Sequence, residues 1–213
     1  MAKSRGLLVT LEGMDGSGKS TQTRLLARAL KRAGHRVTVS REPGGCARSA
    51  RIRALLLDRR MEGLDAAAEL LLFAADRRQH VVDVLNPALE RGELVLCDRF
   101  TDSTLAYQGA RGRVAPADLL WIARFAASGR VPDLTLLFDL PVAEGLERAR
   151  RARGGPDRME RADTPFFNRV RRGYLALAKR EPERIKVIAA SRRGPREILD
   201  EALGLVERRM GRR

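Results

Sequence analysis

The sequence has few of the features that mark secreted, disulfide-linked or membrane proteins. Only two of its 213 residues are cysteine, Cys46 and Cys97, so neither a disulfide framework nor a zinc site is supported. No apolar run approaches the ~18–20 residues that a membrane-spanning helix needs. The N-terminus (MAKSRGLLVTLEG) runs into a short strand pattern without a cleavage site. We therefore expect a cytoplasmic protein in a reducing compartment, with no membrane partner.

Aromatic residues are also scarce, at 4%, whereas the net charge is +15. A strongly basic chain can indicate nucleic-acid binding, because Lys and Arg neutralise phosphates. Here, five lysines among 42 basic residues leave 37 arginines, which are scattered along the whole chain. No basic groove interleaved with aromatic residues is apparent. The pattern disfavours nucleic acid as a partner, and leaves open a simply basic surface or a small polyphosphate substrate.

Length and patterning predict one α/β domain over residues 1–213. A hydrophobic fraction of 44% can fill a core, and short apolar runs alternate with helical patterns, as in βα units with a parallel sheet. Both faces of each strand-like run are apolar, so a five-stranded parallel sheet with helices on both faces is expected. The predicted strands are 6–13, 36–40, 93–99, 133–140 and 184–190. The predicted helices are 19–33, 48–57, 66–90, 116–127, 141–151, 165–180 and 195–209.

One segment, residues 148–165, does not fit this alternation. It is dense in arginine and is interrupted by Gly154, Gly155 and Pro156. Such a composition is not typical of a packed core, and we predict a mobile, arginine-rich lid.

The first strand is followed by GMDGSGKS, residues 13–20, which fits the phosphate-binding loop (P-loop) pattern G-x-x-x-x-G-K-[ST]. Backbone N–H groups of such a loop and the following helix N-terminus bind the phosphates of a nucleoside triphosphate. Lys19 is expected at the β- and γ-phosphates and Ser20 on Mg²⁺. The predicted ATP-binding residues are Gly13, Met14, Asp15, Gly16, Ser17, Gly18, Lys19, Ser20 and Thr21.

The third predicted strand ends in Asp98-Arg99-Phe100, at the sheet edge where ligands of open α/β folds bind. Asp98 can hold Mg²⁺, and Arg99 can bridge the phosphates of donor and acceptor. A strand-end ion pair is the alternative reading. No N-K-x-D motif for guanine is present. Together with the P-loop, these features predict a P-loop kinase fold.

Further segments occur in the order and spacing of the bacterial thymidylate kinase family, which the chain resembles from Gly6 to its final helix. The resemblance implies transfer of the γ-phosphoryl of ATP to thymidine 5′-monophosphate for dTTP synthesis, with Mg²⁺ as cofactor and usually in a homodimer. The segments are LEGMDGSGK (11–19), SREPGG (40–45), LLFAADR (71–77), CDRFTDSTLAYQG (97–109), PDLTLLFDLP (132–141) and DRME (157–160).

The resemblance also assigns residues to the thymidylate. It implies that Phe73 stacks on thymine, that Arg77 binds a base carbonyl, and that Tyr107 packs beneath the deoxyribose. Without it, Phe73 reads as a core residue and Arg53 as a solvated helix arginine. The implied acceptor-binding residues are Asp15 (3′-hydroxyl), Glu42, Arg53 (acceptor phosphate), Phe73, Arg77, Arg99, Thr104 and Gln108 (base edge) and Tyr107.

Catalysis is expected from Lys19, Arg99, Asp15 and one lid arginine. Some family members place an arginine after the P-loop acid, but Gly16 stands there in this chain. The lid must then supply the charge that meets the transition state. Arg153 best resembles that arginine, and Arg158 is a second candidate.

Two other functions are compatible with the sequence, and two histidines and two aromatic residues have expected positions in the fold. Another P-loop nucleotide kinase would differ first in its base-binding residues, and a nucleic-acid-dependent ATPase would be stimulated by DNA or RNA. His35 and His80 have no partners at ligand spacing and are expected on the surface. Trp121 and Phe125, at helical spacing, are expected in the core or in a dimer contact.

Overall fold

A computed structural model describes residues 6–152 and 163–212. Five strands form one parallel sheet in the order β2-β3-β1-β4-β5, which confirms the predicted parallel sheet. The central strand, β1, is buried along its whole length and lies with Leu11 opposite Asp98 of β3 and Leu136 of β4. The strands are β1 Leu7–Glu12, β2 Val37–Arg41, β3 Leu94–Asp98, β4 Leu134–Asp139 and β5 Ile185–Ala189.

Helices connect the strands throughout the described ranges. A single 3₁₀ turn, Arg59–Met61, follows α2, and a π-helical turn, Val81–Leu85, joins α3 to α4. The predicted helix 66–90 is therefore continuous, with its hydrogen-bond pattern changed in the middle. The helices are α1 Lys19–Arg32, α2 Ala47–Leu57, α3 Ala66–His80, α4 Asn86–Glu90, α5 Thr101–Arg111, α6 Pro116–Ala126, α7 Val142–Ala152, α8 Thr164–Arg180 and α9 Pro195–Gly211.

Apolar side chains pack on both faces of the sheet. Alternate residues of β1 point to opposite sides, so that Leu7, Val9 and Leu11 join one apolar cluster and Leu8 joins the other. The helices on both faces confirm the expected layers. The edge strands differ from the prediction that both faces would be apolar and covered, because β2 and β5 each expose a valine, Val39 and Val187.

The two cysteines and the aromatic pair of α6 have defined surroundings in the structure. Cys46 and Cys97 are both free, and Cys46 begins α2, where its sulfur accepts from the backbone N–H of Ser49. Trp121 and Phe125 stack on each other with ring centroids 5.2 Å apart. Their exposed fractions are 64% and 63%. The core alternative for this pair is therefore wrong, because it lies on the outer face of α6.

Within residues 6–152 and 163–212, no helix combines the length and the apolar character needed to cross a membrane.

Candidate active site

The loop between β1 and α1 has a backbone that requires glycine. Gly13, Gly16 and Gly18 have positive φ values of 133°, 76° and 88°. A Cβ at Gly16 would lie 2.0 Å from the carbonyl oxygen of Gly145, and one at Gly13 would lie 2.4 Å from that of Phe138. The loop is thus packed closely against β4 and α7. Gly18 directly precedes α1, so the positive end of the helix dipole faces the loop.

Lys19 is folded over this loop. Its Nζ donates to the carbonyl oxygen of Met14 at 2.9 Å. Burial, together with the nearby charge of Arg99, lowers the pKa of Lys19 to about 8, against the opposing effect of Asp15 and Asp98. The ammonium is therefore held where its charge is poorly solvated, and an anion bound in the loop stabilises it.

Ser20 and Asp98 meet at the mouth of the same loop. The Ser20 hydroxyl donates to Oδ2 of Asp98 at 2.9 Å, in an exposed position. Mg²⁺ in kinases is usually held by one or two protein oxygens, with phosphates and waters completing the octahedron, and this pair fits that donor set. The described part of the chain offers no cluster of three or more metal-binding side chains.

Arg99 lies between the P-loop and the rest of the site. It has a positive φ of 72°, and its guanidinium donates to Oδ1 of Asp15 at 2.9 Å and to the carbonyl oxygen of Gly13 at 3.0 Å. The same guanidinium lies 5.0 Å from the ring centroid of Tyr107. The structure thus brings together three predicted site residues, Asp15, Arg99 and Tyr107.

Arg77 forms the centre of the second half of the site. Its buried guanidinium donates to Oε2 of Glu42 at 2.7 Å, to Oγ1 of Thr104 at 2.8 Å and to the carbonyl oxygen of Phe100 at 2.9 Å. Glu42 and Arg77 are 3–4% exposed. The guanidinium orientation is therefore fixed before any ligand binds.

His80 completes this network, and its predicted surface position is wrong. Its side chain is fully buried, with Nδ1 2.9 Å from Oε1 of Glu42 and Nε2 2.6 Å from the Ser40 hydroxyl. The physical reason is helical spacing, since His80 lies three residues after Arg77 and on the same inward face of α3. In the sequence, this three-residue spacing from Arg77 was the feature that could have indicated a buried His80. His35 is exposed, as expected.

Both halves open into one cavity of about 530 Å³. Phe73 is half-buried at its wall, which favours a ligand-facing position over a core one. Gly13, Met14 and Ser17 are not among its lining residues. Arg148 and Ala149 line it from the start of the predicted lid, and the lining residues that were not predicted are Arg41, Pro43, Leu57, Asp76 and Ser103. The predicted residues in the lining are Asp15, Gly16, Gly18, Lys19, Ser20, Thr21, Glu42, Arg53, Phe73, Arg77, Asp98, Arg99, Thr104, Tyr107 and Gln108.

Two predicted residues are held by the protein rather than left to solvent. Arg53 donates to the carbonyl oxygen of Pro43 at 2.9 Å, so it packs on the loop after β2. Gln108 donates to Glu69 at 3.4 Å. Arg153 and Arg158 lie outside the described residues.

A P-loop after the central strand of a parallel sheet, opening into one cavity whose other half is lined by the Arg77 network, places the chain among the P-loop nucleotide-binding proteins, and the space beside the loop fits the phosphoryl acceptor of a kinase. Comparison with known proteins gives the family. The thymidylate kinase family model matches residues 11–201. Thymidylate kinase from Desulfovibrio desulfuricans is 50% identical over 97% of this chain and 98% of its own. The enzyme of that name from Deinococcus radiodurans is 52% identical over 89% and 91%.

A solved structure agrees. The crystal structure of thymidylate kinase from Ehrlichia chaffeensis superposes with a TM-score of 0.77 at 31% identity, covering 95% of this chain and 99% of that one. The chain belongs to the thymidylate kinase family. Its reaction is the ATP-dependent phosphorylation of thymidine 5′-monophosphate to the diphosphate.

Proposed function

We propose that the two halves of the cavity hold the two nucleotides, with ATP on the P-loop and thymidylate between Phe73 and Arg77. The observation that carries this proposal is the position of Arg99. It borders the P-loop through Gly13 and the acceptor pocket through Tyr107, so one guanidinium can reach phosphates from both sides.

In the reaction we propose, an acceptor phosphate oxygen forms a bond to the γ-phosphorus of ATP, and the bond from that phosphorus to the β–γ bridging oxygen breaks. ADP leaves with the electron pair. A phosphate monoester has a second pKa of about 6, so its oxygen is already ionised at neutral pH and no general base is needed. The protein's task is then positioning and charge neutralisation.

Lys19 and Arg99 supply positive charge along this path. Lys19 neutralises the β- and γ-phosphates, and Arg99 spans the donor and acceptor. Asp15 holds Arg99 by their ion pair at 2.9 Å and faces the sugar of the acceptor. Bound Mg²⁺, held by Ser20 and Asp98, would neutralise phosphate charge that these side chains do not reach.

Phe73, Arg77, Thr104, Tyr107 and Gln108 would select the thymine deoxynucleotide. The half-buried ring of Phe73 offers a stacking face, and the fixed guanidinium of Arg77 offers donors for a base carbonyl. Glu42 belongs to this pocket through its bond to Arg77, and Arg53 would hold the acceptor phosphate.

The described ends of the predicted lid, residues 148–152 and 164–165, are helical and belong to α7 and α8. We propose that residues 148–165 act as a lid on a single kinase domain, with Arg153 meeting the transition-state charge. Arg153→Ala is then expected to lower turnover and leave thymidylate affinity nearly unchanged, because the contact forms mainly in the transition state. Weakened thymidylate binding with normal turnover would instead transfer the catalytic role to Arg158 or Arg151.

We also infer a cytoplasmic homodimer. The exposed Trp121 and Phe125 of α6, and Leu71 of the neighbouring α3, are apolar side chains that a second subunit would cover.

A coupled assay with ATP and a panel of nucleoside monophosphates tests the function. We expect the highest kcat/KM for thymidine 5′-monophosphate, and lower values for cytidine, guanosine and uridine nucleotides. Equal values across the panel would reject the base-reading roles. ATP hydrolysis stimulated by DNA or RNA, and weakened steeply by salt, would favour the nucleic-acid alternative.

A further inference from the structure

Glu12, the last residue of β1, is a buried carboxylate directly behind the P-loop. It is fully buried, and its oxygens accept from the backbone N–H of Phe100 at 2.7 Å, the Ser103 hydroxyl at 2.6 Å and the Tyr174 hydroxyl at 2.9 Å. Among the residues that the structure describes, none forms an ion pair with Glu12. Its contacts therefore join β1 to the start of α5 and to α8.

This carboxylate is energetically costly for the fold. Burial raises the pKa of Glu12 to about 7, and the neighbouring Asp102 adds to the shift, while Ser103, Arg99 and Phe100 oppose it. The ionised form is thus disfavoured in the folded state. A neutral group of the same shape would cost less, which indicates that the charge serves something other than stability.

The two hydroxyl partners of Glu12 are also neighbours of Arg99. Nη1 of Arg99 lies 3.2 Å from the Ser103 hydroxyl and 3.3 Å from the Tyr174 hydroxyl. An ionised carboxylate can only accept hydrogen bonds and a guanidinium can only donate them. The two hydroxyls also lie 2.8 Å from each other, so their protons serve Glu12 and this mutual contact, and their remaining oxygen lone pairs face Arg99 as acceptors.

Glu12 also binds the backbone that follows Arg99. Arg99 has a left-handed conformation that is unusual for a residue with a side chain. The next amide, that of Phe100, donates to Oε1 of Glu12, and the N–H of Ser103 approaches the same oxygen at 3.3 Å. The backbone on the C-terminal side of Arg99 is therefore attached to β1 by this one carboxylate.

We propose that Glu12 is a positioning residue for phosphoryl transfer, whose negative charge orients Arg99 through Ser103, Tyr174 and the backbone of Phe100. This inference rests on the proposed role of Arg99. Glu12 itself does not line the cavity between the two halves of the site, whereas its partner Ser103 does, so Glu12 is not a catalytic residue.

The matched test compares Glu12→Gln with Thr10→Val. Glutamine keeps the shape and can still accept from Phe100, but its amide N–H₂ faces the two hydroxyls and reverses the direction of their hydrogen bonds. Thr10 precedes it by two residues on β1, and its hydroxyl lies 2.8 Å from that of Thr135, which in turn donates to Asp102 at 3.0 Å. Thr10→Val therefore removes a buried hydrogen bond on the same strand while leaving every hydrogen-bond partner of Glu12 and Arg99 in place.

We expect Glu12→Gln to lower kcat by up to about 100-fold, with KM for both nucleotides nearly unchanged and a melting temperature at pH 8 no lower than that of the native protein. Thr10→Val should retain kcat. A fall in melting temperature that accounts for the lost activity, or an equal loss in Thr10→Val, would overturn the proposal. Normal kcat in a folded Glu12→Gln variant would do the same.

The pH profile gives a second readout. The charged or titratable groups around Glu12 are Asp102 and Tyr107 on α5, Tyr174 on α8, Lys19 on α1, and Cys97 and Arg99 at the end of β3. Protonation of Glu12 turns the carboxyl group into a donor and so changes the direction of its hydrogen bonding to the Ser103 and Tyr174 hydroxyls. The kcat of the native protein should therefore fall as the pH drops through about 7, and the pH profile of Glu12→Gln should lack this step. Retention of the step in Glu12→Gln would assign it to another group.

A double-mutant cycle separates this inference from the role of Arg99. If Glu12 acts through Arg99, Glu12→Gln should lower kcat much less in an Arg99→Lys background than in the native protein. Equal losses in both backgrounds would reject the positioning role. If Arg99→Lys alone leaves kcat unchanged, the proposed function of Arg99 fails, whatever Glu12→Gln does.

Discussion

Lys19 shows how a single residue can be prepared for its ligand. Its ammonium is buried and bonded only to a backbone carbonyl among the contacts that the structure gives for it, and its pKa is lowered to about 8. Below that pH the side chain is charged, and as the pH rises through it the charge is lost. Binding of the ATP phosphates favours the charged form, so protonation and ATP affinity are linked.

We therefore predict that ATP affinity decreases above about pH 8, by up to about tenfold per pH unit, while thymidylate affinity changes less. Isothermal titration at a series of pH values measures both. Lys19→Met is the control, because it should bind ATP weakly and without this pH step. An unchanged step in Lys19→Met would assign the titration to another residue.

Arg99 is the second residue whose loss should affect chemistry more than folding. Arg99→Ala removes a cation whose partner, Asp15, is partly exposed and can be solvated again. We expect kcat to fall by roughly 10²–10³ with the native circular dichroism spectrum retained. Comparable turnover in the folded variant would contradict the bridging role.

Among the elements, α3 does most to shape the acceptor pocket before a ligand binds. Its inward face holds the loop after β2 at three points, since Asp76 accepts from the N–H of Gly44 at 2.8 Å, Arg77 donates to Glu42, and His80 bonds to the same carboxylate. A Cβ at Gly45 would lie 2.4 Å from the His80 ring. Loop and helix therefore form one rigid wall.

His80→Ala should loosen this wall. It leaves a buried oxygen of Glu42 without its partner, which we expect to lower the free energy of unfolding by about 2–4 kcal/mol and to raise KM for thymidylate while sparing KM for ATP. His80→Gln should restore part of both losses, because an amide can still donate to Glu42. Denaturant unfolding and steady-state kinetics measure the effects, and an increase confined to the KM of ATP would contradict this account.

Sequence patterns predicted the five strands and most of the helices, because strands and helices follow local periodicity, but α5, Thr101–Arg111, was not among the helices predicted from periodicity. Each of the five strands begins and ends within about a residue of its predicted bounds. The π-helical turn at Val81–Leu85 was not predictable, since it leaves the apolar pattern of residues 66–90 almost unchanged. His80 was misplaced for a different reason: its partner Glu42 is 38 positions away and meets it only in the folded chain.

The P-loop was predictable as a contiguous motif, but the contacts that connect the two halves of the site were not. Glu12 meets Tyr174 across 162 positions, and Arg99 meets Asp15 across 84. Such contacts depend on the strand order, with β3 and β4 on either side of β1. The exposure of Trp121 was likewise not predictable from periodicity. Helical periodicity identifies the apolar face of a helix, but it does not show whether another element of the fold covers that face.

The stacked pair Trp121 and Phe125 is exposed on α6, and covering it in a homodimer would remove a large apolar area from water. Trp121→Asp places a charge in that interface and should convert the dimer to a monomer in sedimentation equilibrium. Val187→Asp, which adds the same charge at the exposed edge strand β5, is the matched control and should remain dimeric. A native protein that sediments as a monomer, or equal dissociation in both variants, would show that this face of α6 is not the contact.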